Sequence, residues 1–450
     1  MSAPTENELP DRDAIQSLLE AGDEAAARAA VADVHPADLA DLLDSLDDAE
    51  QRLQLFRLLA PETAAEVVRE VNEHTKADLA ERLSDARLTA VLERLDTDDA
   101  ADLLGHLPED RLDRLLRRAS PQVRRNVAGL LTYPEDSAGG LMKTEVAVAS
   151  ESETVREVIE TIRRHADDFH DIHDVFITDA QRRLAGRVPL RSLLLYDDDT
   201  PMDKMMDTEV VSVEVDIDQE EVARIFEKYD LLSVPVVDAL GRVVGRITVD
   251  DIVDVISEEA TEDILKLAGV GDESFTSGGP AEAVRSRLPW LSLNLVTAAV
   301  SALAISLFQT TIEKAAIAAA LMTIVSALGG NAGTQTMTVL VRAIALGEAR
   351  AAGVWRVLLR EVTTALANGA LIGAASSLCF YLLGGRPLIG AIFGISLVLN
   401  FFFAAVAGSL LPLGLKAVGV DPALGSPVFV TAATDWLGFF TFLGLLSLVL

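Results

Sequence analysis

The sequence predicts a multidomain protein. Its fold class is an all-α superhelical N domain, an α/β tandem pair, a connecting helix and a five-span α-helical membrane domain. Three observations lead there. The 450 residues carry a net charge of −32 although half of them are hydrophobic. The two properties separate along the chain, with nearly all the acid before residue 283 and nearly all the long apolar runs after 287. Finally, an α-helical period in the first third gives way to an internal repeat of strands and helices.

Residues 1–132 form the first predicted domain. LADLLDSL, AAEVVREV, LTAVLERL, AADLLGHL and RLDRLLRR each place Leu or Val at three- and four-residue spacings, the signature of short amphipathic helices. Pro36, Pro61, Pro108 and Pro121 stand where such helices begin. A run of this kind stacks as an α-solenoid. Asp-rich joins such as LDTDDAAD read as N-caps and solvated turns. The opening MSAPTENELPDRD is polar and acidic, without the apolar core of a signal peptide, which leads us to expect this part in the cytoplasm.

Residues 133–260 carry the repeat. LMKTEVAVASESETVREVIETIR at 141 matches MMDTEVVSVEVDIDQEEVARIFE at 205, and DVFITDAQRRLAGRVPLRSLL at 174 matches SVPVVDALGRVVGRITVDDIV at 233. The spacing falls from 64 to 59 residues between the two blocks, which puts a five-residue insertion near HADDFH in the first copy. Each copy reads strand, helix, strand, turn, strand, helix. His165, His170 and His173 in the insertion offer metal-ligand chemistry, but a solvated polar loop is the simpler reading. The copies resemble cystathionine-β-synthase (CBS) domains, which pair into a disc and often bind adenine nucleotides. GRITVDD matches that family's Gly-x-x-Thr-x-x-Asp pattern, so the resemblance makes Asp251 a ribose-binding residue and ATP a candidate cofactor. The first copy has Ser192 at the equivalent acid and keeps Arg191 beside it.

Residues 261–286 read as a connecting helix that loosens through Gly and Ser. Residues 287–450 hold five segments long and apolar enough to span a bilayer: 288–308, 317–346, 361–384, 388–413 and 428–449. SALGGNAGTQT interrupts the second with Gly and Asn. It reads either as irregular backbone lining a cavity or as a tight helix-packing motif. Arg285, Arg287, Arg342, Arg350, Arg356 and Arg360 mark the basic sides. That puts the N-terminal domains inside and the C-terminus outside a multi-pass protein of the cell membrane. WRVLLRE reads as an interfacial helix ahead of the third span.

Composition narrows the chemistry. The acidity argues against nucleic acid, which selects basic surfaces. Arg and Asp dominate while Lys is scarce, so the acidity fits either a salty cytoplasm or faces that repel until cations bridge them. The lone Cys379 sits among apolar residues and makes no disulfide or zinc site. In VFVTAATDWLGFF, Asp435 stands in the middle of the last span, where a carboxylate usually faces a bundle interior or a water-filled path. Asp421, in GVDPALGSP, precedes that span and doubles as a turn and N-cap residue. Across the axis of a symmetric dimer, two copies of Asp435 would offer two charges to a hydrated divalent ion. No Cys, His or Met cluster accompanies them to favour a softer metal.

Along nearly its whole length the chain resembles the MgtE family of magnesium channels. LTYPEDSAGGLM, the tandem copies, TVDDIVDVISEEATEDI, GGNAG, GVDPAL and TAATDWLG occur in the family's order. The resemblance implies a homodimer whose cytosolic domains sense Mg2+, with a plug helix ahead of five spans. It makes Asp435 the pore carboxylate, with Gly330 and Asn331 lining the pore beside it. It makes Asp98 and Asp102 sensor acids of the N domain, Asp230, Asp251 and Asp254 those of the CBS pair, and Glu259, Glu262 and Asp263 acids near the plug helix. Asp421 joins them as a candidate metal ligand. Thr334 and Ser426 depart from the family pattern while keeping a polar oxygen. The expected activity is uptake of Mg2+ through a channel gated by intracellular Mg2+, with no enzymatic chemistry. Two other readings stay open: a carrier for Mn2+ or Co2+, or one coupled to protons, and a membrane-anchored sensor without a pore.

Overall fold

The computed structural model describes residues 12–166, 172–270, 280–345, 353–424 and 426–450. The chain divides after Ser257 into two compact units.

The first unit opens with ten short helices of eight to ten residues each, α1 (Arg12–Glu20) to α10 (Pro121–Leu130). Each of α2 to α8 packs on the helix two further along, as in α3 (Pro36–Ser45) on α5 (Pro61–Glu70) and α5 on α7 (Asp85–Leu92). This is the superhelical stack the periodicity predicts. Pro36, Pro61 and Pro121 take the first helical position, where a missing N–H costs nothing, and Pro108 is an N-cap. Aspartates at joins do cap helices: Asp23 and Asp48 accept from the first turns of α2 and α4 (Ala49–Leu58).

The α/β pair follows as two three-stranded sheets of identical topology. In each, a parallel strand pair continues into an antiparallel hairpin: β1 (Val148–Ser150), β2 (Asp174–Thr178), β3 (Leu184–Pro189), then β4 (Val213–Glu214), β5 (Ser233–Val237), β6 (Val243–Thr248). The helices are α12 (Val155–Arg164) and α13 (Gln219–Tyr229), with the four-residue α11 (Ala138–Leu141) ahead of the first sheet. The copies differ at their ends. The second closes with α14 (Val249–Ala268), whereas the first closes with a five-residue 3-10 turn at Leu190–Leu194 in place of the expected helix. The first copy packs its own core around Val155, Val175 and Ile177. The core of the second runs on into α1–α10 through Ala138 and Met142.

The second unit contains the end of α14 and five helices long and apolar enough to cross a membrane. They are α15 (Pro280–Ser306), α17 (Ile317–Ala345), α18 (Val354–Leu382), α19 (Pro387–Ala417) and α20 (Ser426–Ser447), with short α16 (Gln309–Lys314) between the first two. The central helix is α19, which touches α17, α18 and α20, while α15 packs chiefly on α20. Two expectations change. WRVLLRE is no separate interfacial helix, because α18 runs unbroken from Val354 and has no Gly or Pro before Gly369 that could end it at the membrane edge. Nor is the second span loosened at GGNAG: α17 is one continuous helix. The glycines there serve packing. A Cβ on Gly329 would lie 2.1 Å from Asn400 Nδ2, and one on Gly333 would lie 2.4 Å from Val430 Cγ1. Small residues let the backbones approach.

Candidate functional site

Three groups of acids stand out, one in the bundle and two outside it. Asp435 lies near the middle of α20, half-buried. Ser326 Oγ of α17 donates to its Oδ1 at 2.5 Å. Among the described residues, no basic side chain pairs with it. Behind this pair sits Asn400 of α19, fully buried, donating to Val325 O at 2.8 Å. It fits only because its neighbours are Gly329 and Gly438; a Cβ on the latter would lie 2.9 Å away. Gly330 faces away from Asn400, and a Cβ there would meet Thr431 Cγ2 at an ordinary 3.8 Å. Asn331 and Thr334 are exposed, and with Thr323, Ala327 and Thr338 they form one mostly polar face of α17. Polar groups at membrane depth usually face protein or a watery path, so this face asks for a cover other than lipid. The side chain of Ser426 lies outside the described residues.

The second group joins the end of α14 to the turn before α20. Lys266 Nζ bonds Asp421 Oδ2 at 2.7 Å and also pairs with Glu262. Asp421 Oδ1 accepts from Ala423 N at 2.8 Å, so its turn-capping role is real. Asp263 is pushed up to about 6, by burial first and then by Asp421 and Glu259. Leu267 packs beside Ala423 and Val430, fixing this end of α14 against α20.

The third group lies where α8 (Thr97–Gly105) meets the second α/β copy. Lys143 pairs with Arg246 of β6, the two exchanging both backbone bonds, and Arg246 Nε donates to Glu145 O at 2.9 Å. The buried Thr97 hydroxyl ties α8 to that segment, 2.7 Å from Glu145 Oε2 and 3.0 Å from Thr144 Oγ1. Beneath it, Lys143 is 2% exposed, with Nζ at 2.9 Å from Asp251, 3.4 Å from Asp250 and 3.8 Å from Asp98. Asp96, Asp98 and Asp99 bring carboxylate oxygens within 4.8 Å of one another, a possible metal grouping. Asp98 Oδ1 is buried without a hydrogen-bond partner, so the group still has an unused ligand atom. Burial drives Asp98 well above the usual carboxylate range, and lifts Asp99 to about 7 despite Arg69 at 3.2 Å. Burial works against the Lys143 ammonium, but Asp98 and Asp251 outweigh it and hold the charge.

The remaining candidates are dispersed. Asp102 is exposed on α8, and Asp254 is exposed on α14, its carboxyl raised by desolvation and by Glu70. Asp230 caps α13 in a left-handed conformation, φ 51°. Arg191 is exposed on the 3-10 turn. Asp251 is a poor fit for a ribose here, because Lys143 and Thr248 Oγ1, the latter at 2.8 Å, already occupy its oxygens. Of the insertion's histidines, His165 is exposed and His173 partly buried, and His170 lies outside the described residues. Lys143, Lys266, Asp250, Ser326 and Asn400 were not anticipated. The signal for the two lysines was their rarity: the chain has seven.

Comparison with known proteins agrees over the whole chain. A family profile described as a divalent cation transporter, MgtE, matches residues 322–445; the MgtE intracellular N domain matches 34–136, and CBS domains match 138–199 and 202–258. The magnesium transporter MgtE of Thermus thermophilus is 36% identical over 97% of this chain and 98% of its own. That of Bacillus subtilis is 29% identical over 93% and 92%. A crystal structure of the cytosolic domain of the Mg2+ channel MgtE in complex with ATP is 39% identical, with a TM-score of 0.51, covering 54% of this chain and all of that one. Five membrane-length helices, a helical stack and a paired α/β repeat thus carry one family's sequence from end to end, and the protein belongs to the MgtE family of magnesium transporters.

Proposed function

We propose that the protein is a Mg2+-selective channel that works as a homodimer in the cell membrane, with its N-terminal domains in the cytoplasm and its C-terminus outside. The observation that carries this reading is Asp435, a half-buried membrane carboxylate held by Ser326 and by no cation among the described residues. Two such acids across a two-fold axis suit Mg2+, which keeps most of its water and is recognised through it. The uncovered face of Asn331 and Thr334 supports a second copy and a watery path there.

Gating follows from the acids outside the bundle. Residues 1–132, 133–260 and 261–286 serve as sensor, CBS pair and plug. The candidate cation ligands are Asp98 and Asp102, then Asp230, Asp251 and Asp254, then Glu259, Glu262, Asp263 and Asp421. At low Mg2+ the acid groups repel across their surfaces and favour an open arrangement; at high Mg2+ bridging cations favour closure. The ion shifts this balance only through its greater affinity for the closed state. The related ATP complex motivates a binding test on this chain, in which Lys143 and Thr248 already engage the oxygens of Asp251.

The test is Mg2+ uptake into proteoliposomes by wild type and Asp435→Ala, with dimer assembly checked by cross-linking. Loss of uptake with assembly retained is expected. Full uptake by the variant removes the pore assignment. Neutralising Asp98, Asp102 and Asp251 together should leave uptake running at millimolar Mg2+, and unchanged closure would defeat the sensing role.

A further inference from the structure

We infer that Lys143 is a resident cation of the acid group between α8 and the second α/β copy, and that incoming Mg2+ must compete with it. This deepens the gating role proposed above and rests on it. The geometry is that of an ion site already filled by a tethered ammonium. Nζ reaches three carboxylates from two separate elements, Asp98 of α8 and Asp250 and Asp251 of α14. The side chain is 2% exposed, so water cannot stand in for those contacts. Its backbone is clamped to Arg246 of β6 by both amide bonds, which leaves the ammonium only its own stem to swing on.

Two further details fit competition. Asp98 Oδ1 is buried and unpartnered, so the ammonium does not exhaust the ligands. With Asp96, Asp98, Asp99, Asp250 and Asp251 facing Lys143 and Arg69, acid outnumbers base and the site still attracts cations. A single ammonium has three donors and one charge. It can bridge the elements without Mg2+, but less strongly than a divalent ion would. The consequence is a sensor whose α8 contact is only partly held without Mg2+, so that repulsion among the acids still favours opening there, and whose Mg2+ affinity is set low by its own lysine.

The test uses the full-length protein in nanodiscs. Amide hydrogen exchange of residues 97–105 is measured in chelator and in Mg2+, and Mg2+ binding is followed by calorimetry. Wild type should show partial protection of α8 in chelator and more in Mg2+. Lys143→Met should raise exchange there by at least about tenfold in chelator, regain protection in Mg2+ and bind Mg2+ at least about tenfold more tightly, as expected for a unit charge within about 4 Å. Lys143→Met with Asp251→Asn removes one charge of each sign; it should restore protection in chelator, which guards against a variant that merely fails to fold. If Lys143→Met matches wild type in both measurements while Asp98→Asn weakens Mg2+ binding, the competition is overturned and the sensing role stands. If neither Lys143→Met nor Asp98→Asn alters Mg2+ binding, both fall.

Discussion

The acids outside the bundle and the acid inside it are treated in opposite ways. Asp98, Asp250 and Asp251 share Lys143, and Glu262 and Asp421 share Lys266. Asp435 has a serine hydroxyl. An acid with its own ammonium is neutralised at zero Mg2+, so an ion must arrive at some concentration to matter; that suits a sensor. An acid without one stays ready for any cation that reaches it, which suits a conduction path. The difference is sharpest where it is dearest, since an unpaired carboxylate at membrane depth costs about 2.5–3.5 kcal/mol on insertion scales.

Giving the bundle acid a lysine should erase the distinction, and this is the largest effect we expect. Ser326→Lys would put an ammonium within reach of Asp435 and satisfy it in the chain. Uptake in proteoliposomes should fall at least about 100-fold, approaching Asp435→Ala, because a fixed unit charge at contact distance repels the ion it replaces. Ser326→Ala removes only the hydroxyl and should keep most of the flux. Equal flux in Ser326→Lys and wild type would show that Asp435 is not on the path.

Removing the lysine from the α14 group tests the other side. Lys266→Met leaves Glu262, Asp263 and Asp421 together without their cation. Its thermal midpoint in chelator should drop by about 4–8 °C, and millimolar Mg2+ should recover most of it. A midpoint that Mg2+ does not restore would mean the group is structural only.

Neighbouring glycines separate packing from lining. Gly329 has no room for a Cβ beside Asn400, whereas Gly330 has ordinary space next to Thr431. Gly329→Ala should cost about 1–3 kcal/mol through overpacking, seen as a lower unfolding midpoint in detergent. Gly330→Ala should leave the midpoint within experimental error and alter flux instead. A stability loss in Gly330→Ala equal to that of Gly329→Ala would break the assignment of the two faces.

Much of this was legible in the sequence because it is local. The period of Leu and Val marks five of the ten helices, α3, α5, α7, α8 and α9, four prolines stand at helix starts, and the repeat at 141 and 205 gives two sheets of one topology. Asp435 was legible because a carboxylate in an apolar run has few innocuous explanations. The contacts that define the acid groups were not. Lys143 and Asp251 are 108 residues apart, and Ser326 and Asp435 are 109 apart; no periodicity reports such pairings. The GGNAG run misled for a related reason. Glycine lowers intrinsic helix preference, but the need to pass Asn400 closely kept a regular helix in place.

The smallest effect concerns a pair that belongs to neither class, His106 and Glu73, which share a hydrogen bond of 3.0 Å at the end of α8. The bond to Glu73 raises His106 above its usual 6.5, with burial opposing. Burial would raise Glu73, but His106 and Lys76 together hold it down at about 2. A histidine whose folded pKa is raised contributes its full stabilisation below the unfolded value and loses it as pH climbs through the folded one. The contribution should therefore fade above pH 6.5, while Glu73 stays ionised throughout. Both side chains are partly exposed, 31% and 59%, so screening keeps the gain to about 0.5 kcal/mol. His106→Gln should flatten the corresponding part of the pH–stability curve between pH 6 and 8, with Mg2+ uptake at pH 7 unchanged. A pH dependence that survives the substitution in full would assign it to the acid groups instead, where lysine and Mg2+ would compete for the same carboxylates.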